Sequence, residues 1–442
     1  MVTKERTWGV TPVPERLRTL SFLDVGLLWG SLGVSLLVLV AGALLAPLGL
    51  SRALLAIGVG SIAGCALLGL AGLIGAERRV PGMVLLRAPL GERGSYLPTG
   101  LNVLQNLGWA TFELIVIAAA ASALADRVFG FRERWIWVLV FGAVTILLAL
   151  AGPISFARRF VRRVGVWVVA ASVGYLAWWA LDRADLGSLW AAEAEGGLTF
   201  WQGVDLTVAM AASWLPLAAD YTRFARSGRS AFWGTSIGYL VPLAVLYALG
   251  ALLVLSRGLA EPTAILTAVA AGGAASALAL LALTVDETDE PFANVYSAAL
   301  SIQNVFPRVP QRLLIVAVGG AAVLGALVID LARYQSFLLL LGSFFVPLFG
   351  VLAADFVAGE APGVRVRWSG LVAWAAGFAA YQWIQPTGPG WWVDLAGVLP
   401  ESGAFTGGAS LPAFALAFAV YAGLRYARAP LGRRRAPLAG SR

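Results

Sequence analysis

Four carboxylates, Asp286, Glu287, Asp289 and Glu290, crowd five positions of the otherwise apolar run ALALLALTVDETDEPFANVYSAALSIQN. Asp286, Glu290 and Asn294 are each four apart, so on a helix they line one face. Acids this close in a low dielectric cannot all stay ionised; at least one holds a proton, or a cation is bound. Either state couples charge to conformation, so these residues are the expected coupling site for H+ or Na+. The same run also reads as a loop at DETDEP, with 263–285 spanning a membrane alone and a short helix over 292–306.

A second constellation lies in LNVLQNLGWATFELIVI. Asn102, Asn106, Trp109 and Glu113 follow helical spacings of four, three and four and share a face, with Gln105 at its edge. Such a stripe can stack and hydrogen-bond a flat polar solute. It can also serve only to bond neighbouring helices. A third lies in DLTVAMAASWLPLAADYTRFAR, where Ser213 and Trp214 precede Pro216. The proline removes one helical hydrogen bond and frees a carbonyl near mid-segment, the mark of a broken helix lining a cavity. Asp220 and Arg223 fit a pair or cap at the segment's inner end. In LLWGSLGVS, Gly30 and Gly33 expose backbone, and Ser31 and Ser35 are weak oxygen ligands.

The elements that position these groups are apolar. Of 442 residues, 59% are hydrophobic and 13% charged, where soluble chains carry about 25% charged. An ionisable side chain at the centre of a membrane helix costs at least ~2.5 kcal/mol, so those present mark a site. Segments long enough to cross a bilayer recur over 20–47, 53–76, 97–125, 135–153, 164–181, 201–220, 233–256, 273–304, 313–329, 335–357, 368–385 and 411–428. This predicts an all-α membrane protein of twelve transmembrane helices.

The chain divides into a tail (1–19), a first five-helix repeat (20–181), a second (201–357), two further helices (368–428) and a basic tail (429–442). With the N-terminus inside, seven arginines (Arg52, Arg127, Arg132, Arg134, Arg183, Arg257, Arg333) fall outside, and the other Lys and Arg fall inside. That asymmetry puts both termini in the cytoplasm of a multi-pass inner-membrane protein. The first 20 residues contain no apolar signal core. With no histidine and one cysteine, Cys65, zinc and haem chemistry and most nucleophilic dyads are not expected, and neither an enzyme nor a resident cofactor is. The net charge of +8 reflects inner loops rather than nucleic-acid binding. A lone chain surrounded by lipid is the expected state.

Four stretches, in order, resemble the nucleobase:cation symporter-1 family, above all its purine–cytosine permease branch. They are GLAGLIGAERRVPGMVLLRAPLGERGSYLP, SWLPLAADYTRF, VYSAALSIQN and YQSFLLLLGSFFVPLFGVLAADFV. The resemblance implies a five-plus-five inverted repeat, leucine-transporter-like, with two extra C-terminal helices. It also implies alternating access and a mid-membrane site between helices one, three, six and eight. It assigns Trp109 as the stacking indole and Trp214 as the opposite face. Gln105 or Asn106, with Glu113, would be edge partners, and Asn294 would belong to helix eight. A sodium site of helix-one carbonyls and helix-eight hydroxyls would use Thr284 and Thr288. The DETDE run departs from the family's neutral pattern.

The expected activity is cation-coupled import of a nucleobase-like heterocycle. A carboxylate accepts but does not donate, which favours amino or ring N–H edges, as in cytosine, adenine or an aminopyrimidine. Transport of hydroxymethylpyrimidine, hydantoin or allantoin is the near rival. A passive channel is the rival from another class.

Overall fold

A computed structural model describes residues 10–151, 166–182, 184–192, 197–259, 264–330, 334–359, 363–398 and 407–427. The described residues form helices joined by turns and loops, with one isolated β-bridge between Leu20 and Ala225. The helices used below are α1 (Phe22–Leu32), α2 (Leu36–Ala43), α3 (Leu50–Arg78), α4 (Tyr96–Phe129), α5 (Arg134–Ala151), α6 (Val166–Leu181), α7 (Phe200–Ser213) and α8 (Leu215–Thr222). They continue as α9 (Gly228–Arg257), α10 (Ala264–Ala271), α11 (Ala274–Asp286), α12 (Asp289–Val305), α13 (Gln311–Val328), α14 (Tyr334–Ala358), α15 (Trp368–Ile384) and α16 (Ser410–Ala427). Each of the twelve apolar segments coincides with one helix or with an interrupted pair. By length and hydropathy, seven described helices suffice to cross a membrane, and the bent pair α1–α2 makes an eighth. Leu55, Ile62, Leu104 and Leu147 point outward and exposed, as a lipid-facing surface requires.

Three interruptions shape the interior. α1 and α2 are bent by 61° at Gly33–Ser35. Ser35 starts α2 as its N-cap, its hydroxyl accepting from the Leu37 and Val38 amides. Gly33 is needed because α9 passes so close that a Cβ there would stand 2.6 Å from the Pro242 ring. α7 and α8 break at Trp214, where Pro216 has no N–H for the next helical bond. α11 and α12 meet in an irregular turn at Glu287–Thr288, ahead of Pro291, which likewise cannot donate. The Glu287 carbonyl takes the Glu290 amide instead. DETDEP is therefore a turn within one near-continuous helix. The preceding apolar stretch forms the separate short helix α10.

α9 packs along α3, α12 along α4, and α13 along α5. At one end of the bundle the segment before α1 is strapped to the loop after α8. The Leu20 amide donates to the Phe224 carbonyl, the Arg226 amide donates to the Leu20 carbonyl, and Arg18 Nε bonds the Ala225 carbonyl. Arg79 pairs with Glu15, Arg87 bonds Asn304, the Arg93 amide donates to the Arg365 carbonyl, Arg367 bonds the Ala88 carbonyl, and Arg425 pairs with Asp355. At the other end, Arg127 and Arg257 are spent on the carbonyls of Ala270 and Trp179.

Candidate functional site

The α4 stripe is buried in full: Asn102, Gln105, Asn106, Trp109 and Glu113 all lie inside the bundle. Its helical spacing aims it at two neighbours. Towards α12, the Asn102 carboxamide donates to Ser301 Oγ at 2.7 Å. Asn294 Nδ2 donates to Glu113 Oε1 at 2.8 Å. Towards the α7–α8 break, Gln105 Nε2 donates to the Ser213 carbonyl at 3.0 Å and to Asn102 Oδ1 at 2.8 Å. The Ser213 carbonyl is open to Gln105 because the Leu217 amide, its partner in an unbroken helix, bonds the Trp214 carbonyl instead. The Ser213 hydroxyl turns back to the Met210 carbonyl.

Both expected stacking indoles are buried. Trp109 meets Phe337 of α14 edge-on, with centroids 5.5 Å apart. Trp214, at the break itself, meets Trp29 of α1 edge-on at 5.8 Å and Tyr239 of α9 at 6.4 Å. Trp29 also meets Tyr221 and Tyr239, so an aromatic cluster joins the two broken helices. Trp29, Tyr239 and Phe337 carried no polar spacing that would single them out in the sequence. Asn106 is fully enclosed, and neither atom of its carboxamide has a hydrogen-bond partner among the described residues.

The acids of the α11–α12 turn part company. Glu287 is fully buried and crosses to α2, where Oε1 accepts from the Ser35 hydroxyl at 2.9 Å and Oε2 from the Leu36 amide at 2.5 Å. Glu290 is buried beside Asn294, whose Nδ2 also reaches the Glu290 carbonyl at 3.3 Å. Asp286 is half-buried. The side chain of Asp289 lies outside the described residues. Thr284, within α11, and Thr288, in the turn after it, spend their hydroxyl protons on the α11 carbonyls of Leu280 and Val285. Among the described residues, no group of three or more His, Cys, Asp or Glu is arranged to hold a metal. Gly30 and Gly33 lie on the α1 face packed against α9.

Asp220 and Arg223, expected to pair or cap at the segment's end, are both buried. Asp220 Oδ1 accepts from the Gly82 amide at 2.9 Å, and Arg223 Nε donates to the Asp220 carbonyl at 3.2 Å. Close by, the Tyr221 hydroxyl donates to the Ala293 carbonyl of α12.

Two broken helices crossing a polar, aromatic stripe define a multi-pass transporter fold. The whole architecture is similar to a nucleobase-cation-symport-1 family transporter solved in a closed conformation with bromovinylhydantoin bound. That likeness has TM-score 0.72 and 19% identity over 95% of this chain and 94% of that one. A Na+-coupled sialic acid symporter is similar at TM-score 0.63 and 12% identity, over 92% and 90%. Residues 12–367 match the family described as permeases for cytosine/purines, uracil, thiamine and allantoin, and the chain belongs to that family. The hydantoin permease of Microbacterium maritypicum is 27% identical over 299 residues, 62% of this chain and 59% of that protein. The cytosine permease of Escherichia coli K12 is 24% identical over 332 residues, 71% of this chain and 74% of that one.

Proposed function

We propose that this protein is a secondary active transporter that moves a small flat heterocycle across the cell membrane, coupled to Na+ or H+, by alternating access. The observation that carries the reading is Asn106. A buried carboxamide without partners costs about 1–3 kcal/mol, and such a cost persists where a solute supplies the missing bonds. The reading assigns the buried indoles Trp109 and Trp214 to the ring faces, and Gln105, Glu113 and Asn294 to the ring edge. Base–aromatic stacking is worth about 1–3 kcal/mol per ring. Glu113 adds a buried acceptor, which selects rings with N–H or amino donors, such as cytosine or a purine. The hydantoin permease among its relatives favours a second cargo, hydantoin, whose ring N–H groups meet the same requirement.

The two-repeat division rests on packing. Helices at corresponding places of the two halves, α3 with α9, α4 with α12 and α5 with α13, lie side by side. Both termini are assigned to the cytoplasm by the Lys/Arg asymmetry, and the coupling ion to the neighbourhood of the α1–α2 break and the acids of the α11–α12 turn. The chain is proposed to act as a monomer and to catalyse no reaction. Uptake of radiolabelled cytosine into proteoliposomes, with sodium and pH gradients imposed separately, tests the reading. Expected is accumulation driven by one gradient and competed by unlabelled hydantoin or adenine more than by 1,3-dimethyluracil, which has no N–H donor. Flux independent of any gradient, or none with any ring, overturns it.

A further inference from the structure

The amino end of a helix carries partial positive charge and unpaired amides, and in transporters built on broken helices such ends receive the anionic groups of substrates. The amino end of α2 is one of these, buried at the break. Here it is already filled from within the chain. Ser35 Oγ accepts from the Leu37 and Val38 amides and donates to Glu287, while the Leu36 amide donates to the other carboxylate oxygen of Glu287. Three successive amides are thus satisfied by one hydroxyl and one carboxylate. Glu287 reaches α2 from the irregular turn that Pro291 imposes between α11 and α12. Two further buried acidic residues lie near α12: Glu113, whose carboxylate accepts from Asn294, and Glu290, whose backbone carbonyl Asn294 also reaches.

We propose that Glu287 is the resident anion of the α2 amino end and a specificity-determining residue: it closes that end to negatively charged solutes and confines the cargo to uncharged or cationic rings. The proposal rests on the reading that a ring binds between α4 and the helix breaks, and it narrows the chemistry of that ring. A solute carboxylate brought to α2 would meet Glu287 in a low dielectric, where two like charges cannot both stay ionised.

The test uses the full purified chain and has two arms. The first needs no cargo. Glu287→Ala vacates the amino end, and sodium formate should raise the melting temperature of that variant by several degrees over sodium chloride at equal ionic strength. Wild type and Glu287→Gln, whose side chains still fill the place, should not respond. The second arm compares equilibrium binding of radiolabelled cytosine with that of orotate, a carboxylated pyrimidine. Wild type should prefer cytosine by about 100-fold or more, and Glu287→Ala should narrow that preference by about tenfold. If Glu287→Ala does not fold, Glu287→Gln, which keeps the shape and removes the charge, carries the second arm and should narrow the preference by about fivefold. Formate without effect on a folded Glu287→Ala overturns the proposal, as does a preference unchanged in both variants. If wild type binds no ring at all, the transport reading falls, while the formate arm still decides whether α2 holds an anion site.

Discussion

The two broken helices solve opposite problems. At the α1–α2 break the exposed end is the amino end of α2, and a carboxylate, Glu287, meets it. At the α7–α8 break the exposed group is a carbonyl at the carboxyl end of α7, and a donor, Gln105, meets it. Each partner matches the sign of the helix end it faces; Gln105 comes from α4, and Glu287 from the turn that leads into α12, which packs along α4. Broken backbone is tolerated at membrane depth only where something satisfies it. Here α4 does so for one break and the α11–α12 turn for the other, which ties both to the two helices that would have to move.

Reversing one of these matches should have the largest effect. Gln105→Glu sets a carboxylate against the Ser213 carbonyl, and transport is expected to fall by more than about tenfold beyond Gln105→Ala, which leaves an unpaired group worth about 1–3 kcal/mol. Equal losses in uptake and melting temperature for the two variants would break the symmetry argued above. Next comes Trp109→Ala, expected to weaken solute binding by about 1–3 kcal/mol, with Trp109→Phe recovering part of it; equilibrium binding of labelled cytosine or hydantoin checks this. Glu290→Gln is expected to abolish accumulation against a gradient while exchange of solute across the membrane continues. Normal accumulation by that variant removes Glu290 from coupling. The smallest effect belongs to Ser35→Ala, which deletes an N-cap but leaves Glu287 on the Leu36 amide. A loss of about 1 kcal/mol in unfolding stability is expected.

Much of the frame was legible because it depends on local rules. Pro216 removes a donor wherever it stands, so the α7–α8 break could be read in advance. The spacing of Asn102, Asn106, Trp109 and Glu113 put them on one face before any neighbour was known. The partners were not legible, because they depend on which helices meet. Nothing in LLWGSLGVS indicates that Ser35 will receive a glutamate some 250 positions away. Grouping the four acids by proximity in sequence missed how Pro291 turns Glu287 towards α2 while Glu290 stays with Asn294. Trp29 and Tyr239 carried no distinguishing pattern, since an aromatic residue in an apolar helix reads the same whether it faces lipid or a site. Asp220 and Arg223, expected to pair or cap at the segment's end, are both buried, and the Gly82 amide that meets Asp220 could not be read from the sequence.

The solute site stands or falls with Asn106, and the substitution Asn106→Leu addresses it directly when melting temperature and ring binding are measured on the same purified protein. Replacing an unpartnered buried carboxamide by an apolar group of similar size should raise the melting temperature and abolish binding of cytosine or hydantoin. A variant that melts lower than wild type and still binds the ring with unchanged affinity would contradict the account.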